Sequence, residues 1–120
     1  MKPHKNLNAW IKSFEIVKDL YSITQSFPTE EKYGLVSQIR RASVSVPVNI
    51  AEGAARKGKK EFIQFLHISM GSLTELDTLL LLSSELGFIQ KNESDLLIER
   101  LDTIGKLIYG LIKSIEKRNE

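Results

Sequence analysis

The segment that decides the fold is residues 34–53, GLVSQIRRASVSVPVNIAEG, which combines a stripe of apolar residues, a paired arginine and an internal proline. The apolar residues recur at spacings of four, three, four and four, which places them on one face of an amphipathic helix. They are Leu35, Ile39, Ala42, Val46 and Ile50. Pro47 removes one backbone donor from this helix at a cost of roughly 3 kcal/mol. Because tertiary packing has to offset that cost, we expect the helix to lie in a well-packed interior.

Three further helices are predicted around this one. The first runs from about Leu7 to Ser26, the third from Lys59 to Leu86 and the fourth from about Glu93 to Lys117. We expect the second helix, which carries the segment quoted above, to begin near Thr29, because this residue offers a capping hydroxyl and two acids follow it. The same helix should end within residues 53–57.

Residues at three- and four-residue spacing predict the inward face of each of these helices. For the first helix they are Leu7, Trp10, Phe14, Val17 and Tyr21. For the third they are Phe62, Phe65, Leu66, Ser69, Leu73, Leu76 and Leu80, and for the fourth Leu97, Leu101, Ile104, Ile108, Leu111 and Ile115. Gly87 follows the third helix and is expected to adopt the left-handed conformation that closes many helices, with the apolar Phe88 after it.

These elements predict an all-α protein. No segment shows the sustained two-residue alternation of a strand flanked by hairpin turns, so we expect no sheet. Long helices joined by short loops favour an antiparallel up-down four-helix bundle, here with an internal proline in the second helix. A chain of 120 residues is long enough for one domain, which we assign to residues 1–120.

Composition excludes several classes of protein. With 42% apolar and 27% charged residues, the chain has the composition of a globular protein and not of a disordered one. It contains no cysteine, so neither disulfides nor thiolate metal sites are expected. The first ten residues have no apolar core, and the longest uncharged stretch in the apolar half, residues 62–74, is shorter than the roughly 18 residues of a membrane span. We therefore expect a soluble cytoplasmic protein without membrane contact.

The helices carry more apolar residues than the core of one bundle needs. Residues 79–82 are four consecutive leucines that surround a helix, so two of them should face water. Further apolar residues fall outside the predicted inward faces: Ile11, Ile16, Ile23, Ile98, Leu107 and Ile112. They are either scattered surface residues, which are common, or part of a second buried face formed by self-association. We favour self-association.

No set of residues predicts catalysis or metal binding. Residues 53–60 match the first seven positions of the phosphate-binding loop GxxxxGK[ST], but Lys60 replaces the magnesium-binding hydroxyl and a helix precedes the segment where a strand is needed. Neither His4 nor His67 has a glutamate three residues before it, as the di-metal sites of helical bundles require. No base and orienting acid can be assigned to a serine nucleophile. We expect no enzyme, no catalytic residue, no cofactor, no metal and no small-molecule substrate.

Positive charge is concentrated in one part of the chain. Residues 40–60 contain six basic residues and one acid, a net charge of +5, whereas the other residues carry 11 basic and 14 acidic side chains, a net charge of −3. The six are Arg40, Arg41, Arg56, Lys57, Lys59 and Lys60. They are either solvated surface charges or a binding site for phosphates, and binding of that kind is salt-sensitive and weakly selective for sequence.

The two groups of basic residues have different expected settings. Arg40 lies next to the core position Ile39, so one arginine of the pair is expected to anchor an ion pair while the other is exposed. Residues 56–60 lie at a helix end beside the free amides of the next helix, a setting that favours phosphate.

Two polar residues near the proline are expected to have structural roles. Glu52 should pair with Arg41 or Arg56, or bond the backbone at the turn. Asn49 should bridge backbone groups that Pro47 leaves unpaired. Contact with a ligand is the alternative for both residues.

Two blocks of this sequence resemble a known family. The first comprises Phe27-Pro28-x-x-Glu31, residues 33–47 and Asn49-Ile50-Ala51-Glu52-Gly53, and the second is residues 61–76. They are similar to the small bacterial four helix bundle protein family, which includes proteins encoded by intervening sequences in 23S ribosomal RNA genes. The chain also resembles the accessory variability protein of diversity-generating retroelements. The patterns QIRRA…NIAEG and GSLxEL are the most specific.

The resemblance covers nearly the whole chain and implies an antiparallel four-helix bundle without enzymatic activity. It also implies a ring-like assembly, often a homopentamer, for which nucleic-acid association is suspected. Relatives commonly carry serine at the position of Gly58, where it would form a capping box with Glu61, so we expect a weaker cap in this chain.

The leading hypothesis is a homo-oligomeric protein that binds structured RNA, or an RNA–protein complex, through Arg40, Arg41 and residues 56–60. The alternative is a purely structural scaffold that binds itself or another protein and no nucleic acid.

Overall fold

The computed structural model describes residues 3–118 and contains four α-helices. They are α1 (Asn8–Thr24), α2 (Leu35–Ala54), α3 (Lys59–Glu85) and α4 (Lys91–Glu116). Short 3₁₀ helices, Pro3–Asn6 and Thr29–Glu31, precede α1 and α2. No β-strand occurs within residues 3–118, which confirms the predicted all-α class.

The helices pack side by side around an apolar core. Helix α1 contacts α2 and α4, and α3 contacts the same two helices, whereas the backbones of the pairs α1–α3 and α2–α4 do not approach each other. The described part of the chain measures 50 × 22 × 22 Å. The leucine and isoleucine side chains with almost no exposure are Ile16, Leu20, Ile39, Ile50, Leu66, Leu76, Leu80, Ile104, Ile108 and Ile115.

The inward face of α2 is as predicted. All five residues of its stripe are buried, and Pro47 is buried inside the helix. The predicted start is wrong, because Thr29 begins only a 3₁₀ turn. The Glu31 carboxylate accepts a hydrogen bond from the Leu35 amide at 3.2 Å, so an upstream side chain caps a helix that begins later than expected. Gly34, at φ −106° and ψ −112°, separates the 3₁₀ turn from the helix.

The predicted inward face of α1 is wrong. Phe14 and Tyr21 are 48% and 39% exposed, and Leu7, Trp10 and Val17 are half-buried. The core side is instead formed by Ala9, Ser13, Ile16, Leu20 and Thr24. This stripe has the same spacing as the stripe of α2. Its two hydroxyls donate to carbonyl oxygens of the same helix at 2.9 and 2.7 Å, so they are buried without an unpaired polar group.

Helix α3 and its end follow the prediction closely. Of its assigned inward residues, Phe65 is half-buried and the other six are buried. Gly87 has a φ of 81°, in the left-handed region, as predicted. Its amide donates to the Ser84 carbonyl at 3.0 Å, and the Phe88 amide donates to the Ser83 carbonyl at 2.9 Å. These are the two hydrogen bonds of a Schellman motif, which ends the helix.

Helix α4 begins at Lys91, before the predicted start near Glu93, and ends at Glu116. Its predicted inward residues are buried except Leu111, which is half-buried, while Ile112 lies in the core. The period of 3.6 residues explains the difference, because the buried face of the helix continues from Ile108 to Ile112.

The surplus of apolar residues is smaller than the sequence suggested. Ile16 and Ile112, predicted to lie outside the core, are buried in it. Ile23, Ile98 and Leu107 pack partly buried against the core, and Ile11 is exposed. The leucine run behaves as predicted, since Leu79 and Leu80 are buried and Leu81 and Leu82 are 49% and 45% exposed.

By length and composition, α3 is the one helix within residues 3–118 that could cross a membrane. This is weak evidence, because the core helix of a soluble protein passes the same test; 33% of the most apolar window of α3 is buried in this structure.

Candidate nucleic-acid interface

The connection between α2 and α3, residues 55–60, is called here the basic turn, and close packing of the two helices fixes its position. Gly53 makes this packing possible, because a Cβ atom at this position would lie 2.9 Å from both Phe62 Cδ1 and Phe65 Cβ. A larger residue would push the end of α2 away from the start of α3. The glycine therefore determines where the basic turn leaves the bundle.

Four cationic residues line a notch of about 240 Å³ at this end of the molecule. They are Arg56, Lys57, Lys59 and Arg118. No acidic residue lines the notch among the residues that the structure describes. Lys59 Nζ donates to the backbone carbonyl of Arg118 at 3.2 Å, which ties the basic turn to the end of the chain that follows α4. Lys60 is exposed and extends the cationic surface beyond the notch.

Arg118 was not among the residues predicted from the sequence. This residue is far from the basic turn along the chain, and only the packing of the helices brings it there. A signal was present, because Lys117 and Arg118 form a cationic pair after the fourth helix. In an up-down bundle the end of the fourth helix lies beside the connection between the second and the third.

Arg56 has two contacts, one with α2 and one with α3. Its Nη2 lies 3.5 Å from the Glu52 carboxylate, and both side chains are about half exposed. An exposed pair of this kind contributes at most about 1 kcal/mol. The guanidinium also lies 5.1 Å from the centroid of the Phe65 ring. Glu52 therefore pairs with Arg56, the second of the two partners predicted for it.

The start of α3 adds backbone donors to the notch. The first amides of a helix have no acceptor within the helix. The N-cap residue Gly58 has no side chain to satisfy them, which agrees with the expected weak cap. Because α3 is 27 residues long, its dipole places positive potential at this end, with Glu61 as the acid of the first turn.

Arg40 does not make the predicted ion pair. Its Nε donates to Thr24 Oγ1 at 3.0 Å and its Nη2 donates to the Tyr21 carbonyl at 3.1 Å. The guanidinium also lies 4.4 Å from the centroid of the Tyr21 ring. These acceptors belong to the last turn of α1, where carbonyl groups lack helical donors and attract a cation. Arg40 therefore links α1 to α2.

Arg41 is the exposed member of the pair. No ion pair within residues 3–118 involves Arg41. It lies about 20 Å from Ala54 along the axis of α2, at 1.5 Å per residue. The structure therefore separates the arginine pair from the basic turn and does not combine the two into one site.

Asn49 has a structural contact different from the predicted one. Its Nδ2 donates to the Ser45 carbonyl at 2.8 Å and to Ser45 Oγ at 3.0 Å. The same hydroxyl accepts a hydrogen bond from Ser72 Oγ at 2.8 Å, so Asn49 supports a polar contact between α2 and α3. The carbonyl that Pro47 deprives of a donor belongs to Ser43, four residues earlier.

The structure groups no residues for metal chemistry. Within residues 3–118 no three His, Asp or Glu side chains lie close enough to hold a metal ion. His67 is exposed on α3. Residues 53–60, which resemble a phosphate-binding loop, connect α2 to α3. A helix therefore precedes them, as expected, where a phosphate-binding loop needs a strand.

The geometry thus defines a helical protein whose cationic connection between two helices faces solvent. The family model of the 23S rRNA-intervening sequence protein matches residues 5–110, and the chain belongs to this family. The resemblance inferred from the sequence motifs is therefore confirmed.

The fold is also similar to a solved structure from Bacteroides thetaiotaomicron, a protein of unknown function from the S23 ribosomal protein family. The TM-score is 0.77 at 23% sequence identity, and the match covers 88% of this chain and 98% of the other. At that identity the likeness concerns the fold alone. No curated protein is significantly similar to the chain in sequence.

Proposed function

We propose that this chain is a non-enzymatic, self-associating protein that binds structured RNA, or an RNA–protein complex, through the basic turn. The binding residues are Arg56, Lys57, Lys59, Lys60 and Arg118. The observation that carries the proposal is the notch, where four cations meet the start of α3 and no acid among residues 3–118 lines the surface. Phosphate groups fit such a site, because they accept hydrogen bonds from amides and gain from the positive potential.

The proposal also includes the arrangement of the helices, the location of the protein and the number of copies in the assembly. The four helices form an antiparallel up-down bundle, one domain spanning residues 1–120, in the bacterial cytoplasm. The pattern of helix contacts, in which each helix touches two neighbours and not the opposite one, supports this arrangement. The resemblance to the family favours five copies in the assembly.

The two arginines of the pair have different roles in this proposal. Arg40 has a structural role, because its donors already serve the end of α1. Arg41 is exposed and provides a second, separate contact to phosphate.

Recognition through the basic turn is directed at phosphates and not at bases. Single-strand binding sites stack bases on exposed aromatic rings. Two rings lie beside this turn. Phe62 lines the notch but is buried, and Phe65 is half-buried, with the Arg56 guanidinium 5.1 Å from its centroid. A site of this kind positions a folded RNA through its backbone and discriminates little between sequences.

Filter binding with a labelled RNA stem-loop tests the proposal. The quadruple variant Arg56→Ala/Lys57→Ala/Lys59→Ala/Lys60→Ala removes four of the proposed phosphate contacts. At about 0.1 M salt we expect a loss of affinity on the order of 100-fold, because each contact adds counterion release to the binding free energy.

A variant with the same change in net charge is the control. It replaces four exposed lysines elsewhere on the surface with alanine: Lys12, Lys18, Lys32 and Lys91. We expect its affinity to fall by less than about threefold, because only the long-range field changes. Equal losses in the two variants would contradict a site at the basic turn.

The second candidate function is a scaffold without nucleic-acid binding, in which the cations serve only solubility. The exposed apolar side chains of α1 and α3, such as Phe14, Ile68 and Leu82, favour it, because they suit contacts between proteins. Purification from lysate with and without nuclease separates the two functions. Loss of the co-purifying partners on nuclease treatment supports RNA binding, and their retention supports the scaffold.

A further inference from the structure

A groove between α3 and α4 runs along the outside of the bundle and has a volume of about 520 Å³. We call it the α3–α4 groove. Its apolar part consists of Met70, Leu73 and Leu101, with the exposed Tyr109 at one end. From Leu101 to Tyr109 the groove follows α4 for about 12 Å, at 1.5 Å per residue. Its size and apolar surface are typical of binding sites, whose volumes are about 300–1,000 Å³.

Gly105 keeps the α3–α4 groove open. A Cβ atom at this position would lie 3.8 Å from Leu73 Cδ1, an ordinary van der Waals contact. The packing of α4 against α3 therefore does not require a glycine, and glycine in the interior of a helix is less stabilising than alanine. The structural consequence of the missing side chain is the space above Leu73, which a group from outside the protein can fill.

The charged residues of the α3–α4 groove are Asp77 on α3 and Asp102 and Lys106 on α4, a net charge of −1. Neither carboxylate forms an ion pair within residues 3–118. Farther along α3, the exposed Leu81 and Glu85 follow Asp77 at intervals of four residues. They lie on the same side of the helix, so the apolar and acidic pattern continues for two more turns.

We propose that the α3–α4 groove binds an amphipathic helix of another protein, one with an apolar stripe flanked by lysine or arginine. Apolar side chains of the partner at positions i, i+3, i+4 and i+7 enter the space above Leu73 and Gly105. Basic side chains beside that stripe meet Asp77 and Asp102, which makes the two surfaces complementary in charge. Leu73 lies about 20 Å from the start of α3, so this site is separate from the basic turn and goes beyond RNA binding.

The chemistry of the groove favours a helix over other occupants. Nucleic acid does not fit, because carboxylates repel phosphates. An extended peptide gains affinity from main-chain hydrogen bonds to the edge of a sheet, and residues 3–118 contain no strand. A helix satisfies its own main-chain groups and needs only side-chain contacts, which the apolar and acidic residues of the groove provide.

Fluorescence anisotropy with a labelled synthetic peptide tests the proposal. The probe is a peptide of about 18 residues of leucine and lysine, long enough to form a helix, with leucines at the positions given above. The control peptide has the same composition in an order that gives no apolar stripe. We expect saturable binding of the probe at micromolar concentrations, at least about tenfold tighter than binding of the control peptide.

Two substitutions of glycine in α4 test whether the probe occupies the groove. Gly105→Leu fills the space above Leu73, so the affinity for the probe should fall at least about tenfold. Gly110→Leu is the matched control, because Gly110 does not line the groove and a Cβ atom there meets no atom within 4 Å. It should change the affinity by less than about twofold. Leucine favours a helix more than glycine does, so both variants should remain folded, as checked by circular dichroism.

A second pair of variants tests the role of charge. Asp77→Asn/Asp102→Asn removes both carboxylates without changing the shape of the groove, and the affinity for the probe should fall by about fivefold. The control Glu15→Gln/Glu30→Gln removes two exposed carboxylates elsewhere on the surface. It should reduce the affinity by less than about twofold.

The outcomes separate this inference from RNA binding. Absence of saturable binding, or equal binding of the two peptides, overturns the proposal, also where a second copy of this chain covers the groove. Equal losses in Gly105→Leu and Gly110→Leu overturn it as well. Gly105→Leu should retain the RNA affinity of the wild type, and the quadruple variant of the basic turn should bind the probe no less tightly. Failure of either proposal therefore leaves the other standing.

Discussion

The two cationic regions near the ends of α2 show that basic side chains have different surroundings at the two ends of one helix. Near the start, Arg40 is bound by neutral acceptors of α1 and by the Tyr21 ring. Past the end, the cations of the basic turn surround an open notch and have few partners within residues 3–118. From composition alone these residues form one cluster, whereas in the structure the first region links two helices and the second is open to solvent.

The largest expected effect is on the packing that holds the basic turn. The change Gly53→Ala places a Cβ atom 2.9 Å from Phe65 Cβ, which cannot move without the helix. We expect the free energy of unfolding to fall by about 2 kcal/mol, as for other overpacked sites. Urea denaturation measures it.

Gly71→Ala is the matched control, because a Cβ atom at Gly71 meets no atom within 4 Å. In the middle of a helix this change should stabilise the protein by about 0.5–1 kcal/mol. Equal effects of the two substitutions would contradict the close contact at Gly53.

The second largest effect on stability is expected for Arg40, and it distinguishes Arg40 from Arg41. Arg40→Ala removes two hydrogen bonds from a charged donor and the contact with the Tyr21 ring. We expect a loss of about 1–2 kcal/mol in the free energy of unfolding, at the lower end for hydrogen bonds of charged groups because the side chain is partly exposed. RNA affinity should change by less than about twofold once the protein is folded.

Arg41→Ala is the counterpart, because the side chain is exposed. Its effect on stability should stay within about 0.5 kcal/mol, as for most surface substitutions. If Arg41→Ala destabilised the protein more than Arg40→Ala, the division of the pair into a structural and an exposed arginine would be wrong.

The smallest expected effect concerns the cap of α3. Gly58→Ser supplies a hydroxyl to the free amides at the start of this helix, where the structure has no side-chain cap. At the N-cap position, serine stabilises a helix by only a few tenths of a kcal/mol more than glycine does. We expect a small rise in the midpoint of thermal unfolding, measured by circular dichroism. A fall in the midpoint would show that the basic turn needs the glycine backbone.

Most of the helical architecture was predictable from the sequence because burial follows the spacing of apolar residues. The stripe of α2 and the end of α3 at Gly87 are examples. Helix α1 was assigned the wrong face because it carries two interleaved stripes with helical spacing. The aromatic stripe with Phe14 is the more apolar, yet the stripe with Ser13 is buried, since a serine can bond its own helix while it fills a narrow space.

The candidate site was predictable only in part. The cations of the basic turn follow one another in sequence, so their proximity was evident. Two features depend on tertiary contacts: Arg118 joins the notch from beyond α4, and Arg40 bonds a hydroxyl and a carbonyl group of α1. A carbonyl partner leaves no trace in the sequence, because every residue carries one.

The salt dependence of RNA binding tests the central claim most directly. The measured quantity is the slope of log K against log salt concentration for the wild type, for the quadruple alanine variant of the basic turn and for Arg40→Ala. The basic turn should account for a slope steeper by about three units, because each phosphate contact contributes roughly 0.7–0.9. Arg40→Ala should keep the slope of the wild type. A quadruple variant that keeps the wild-type slope would contradict the account.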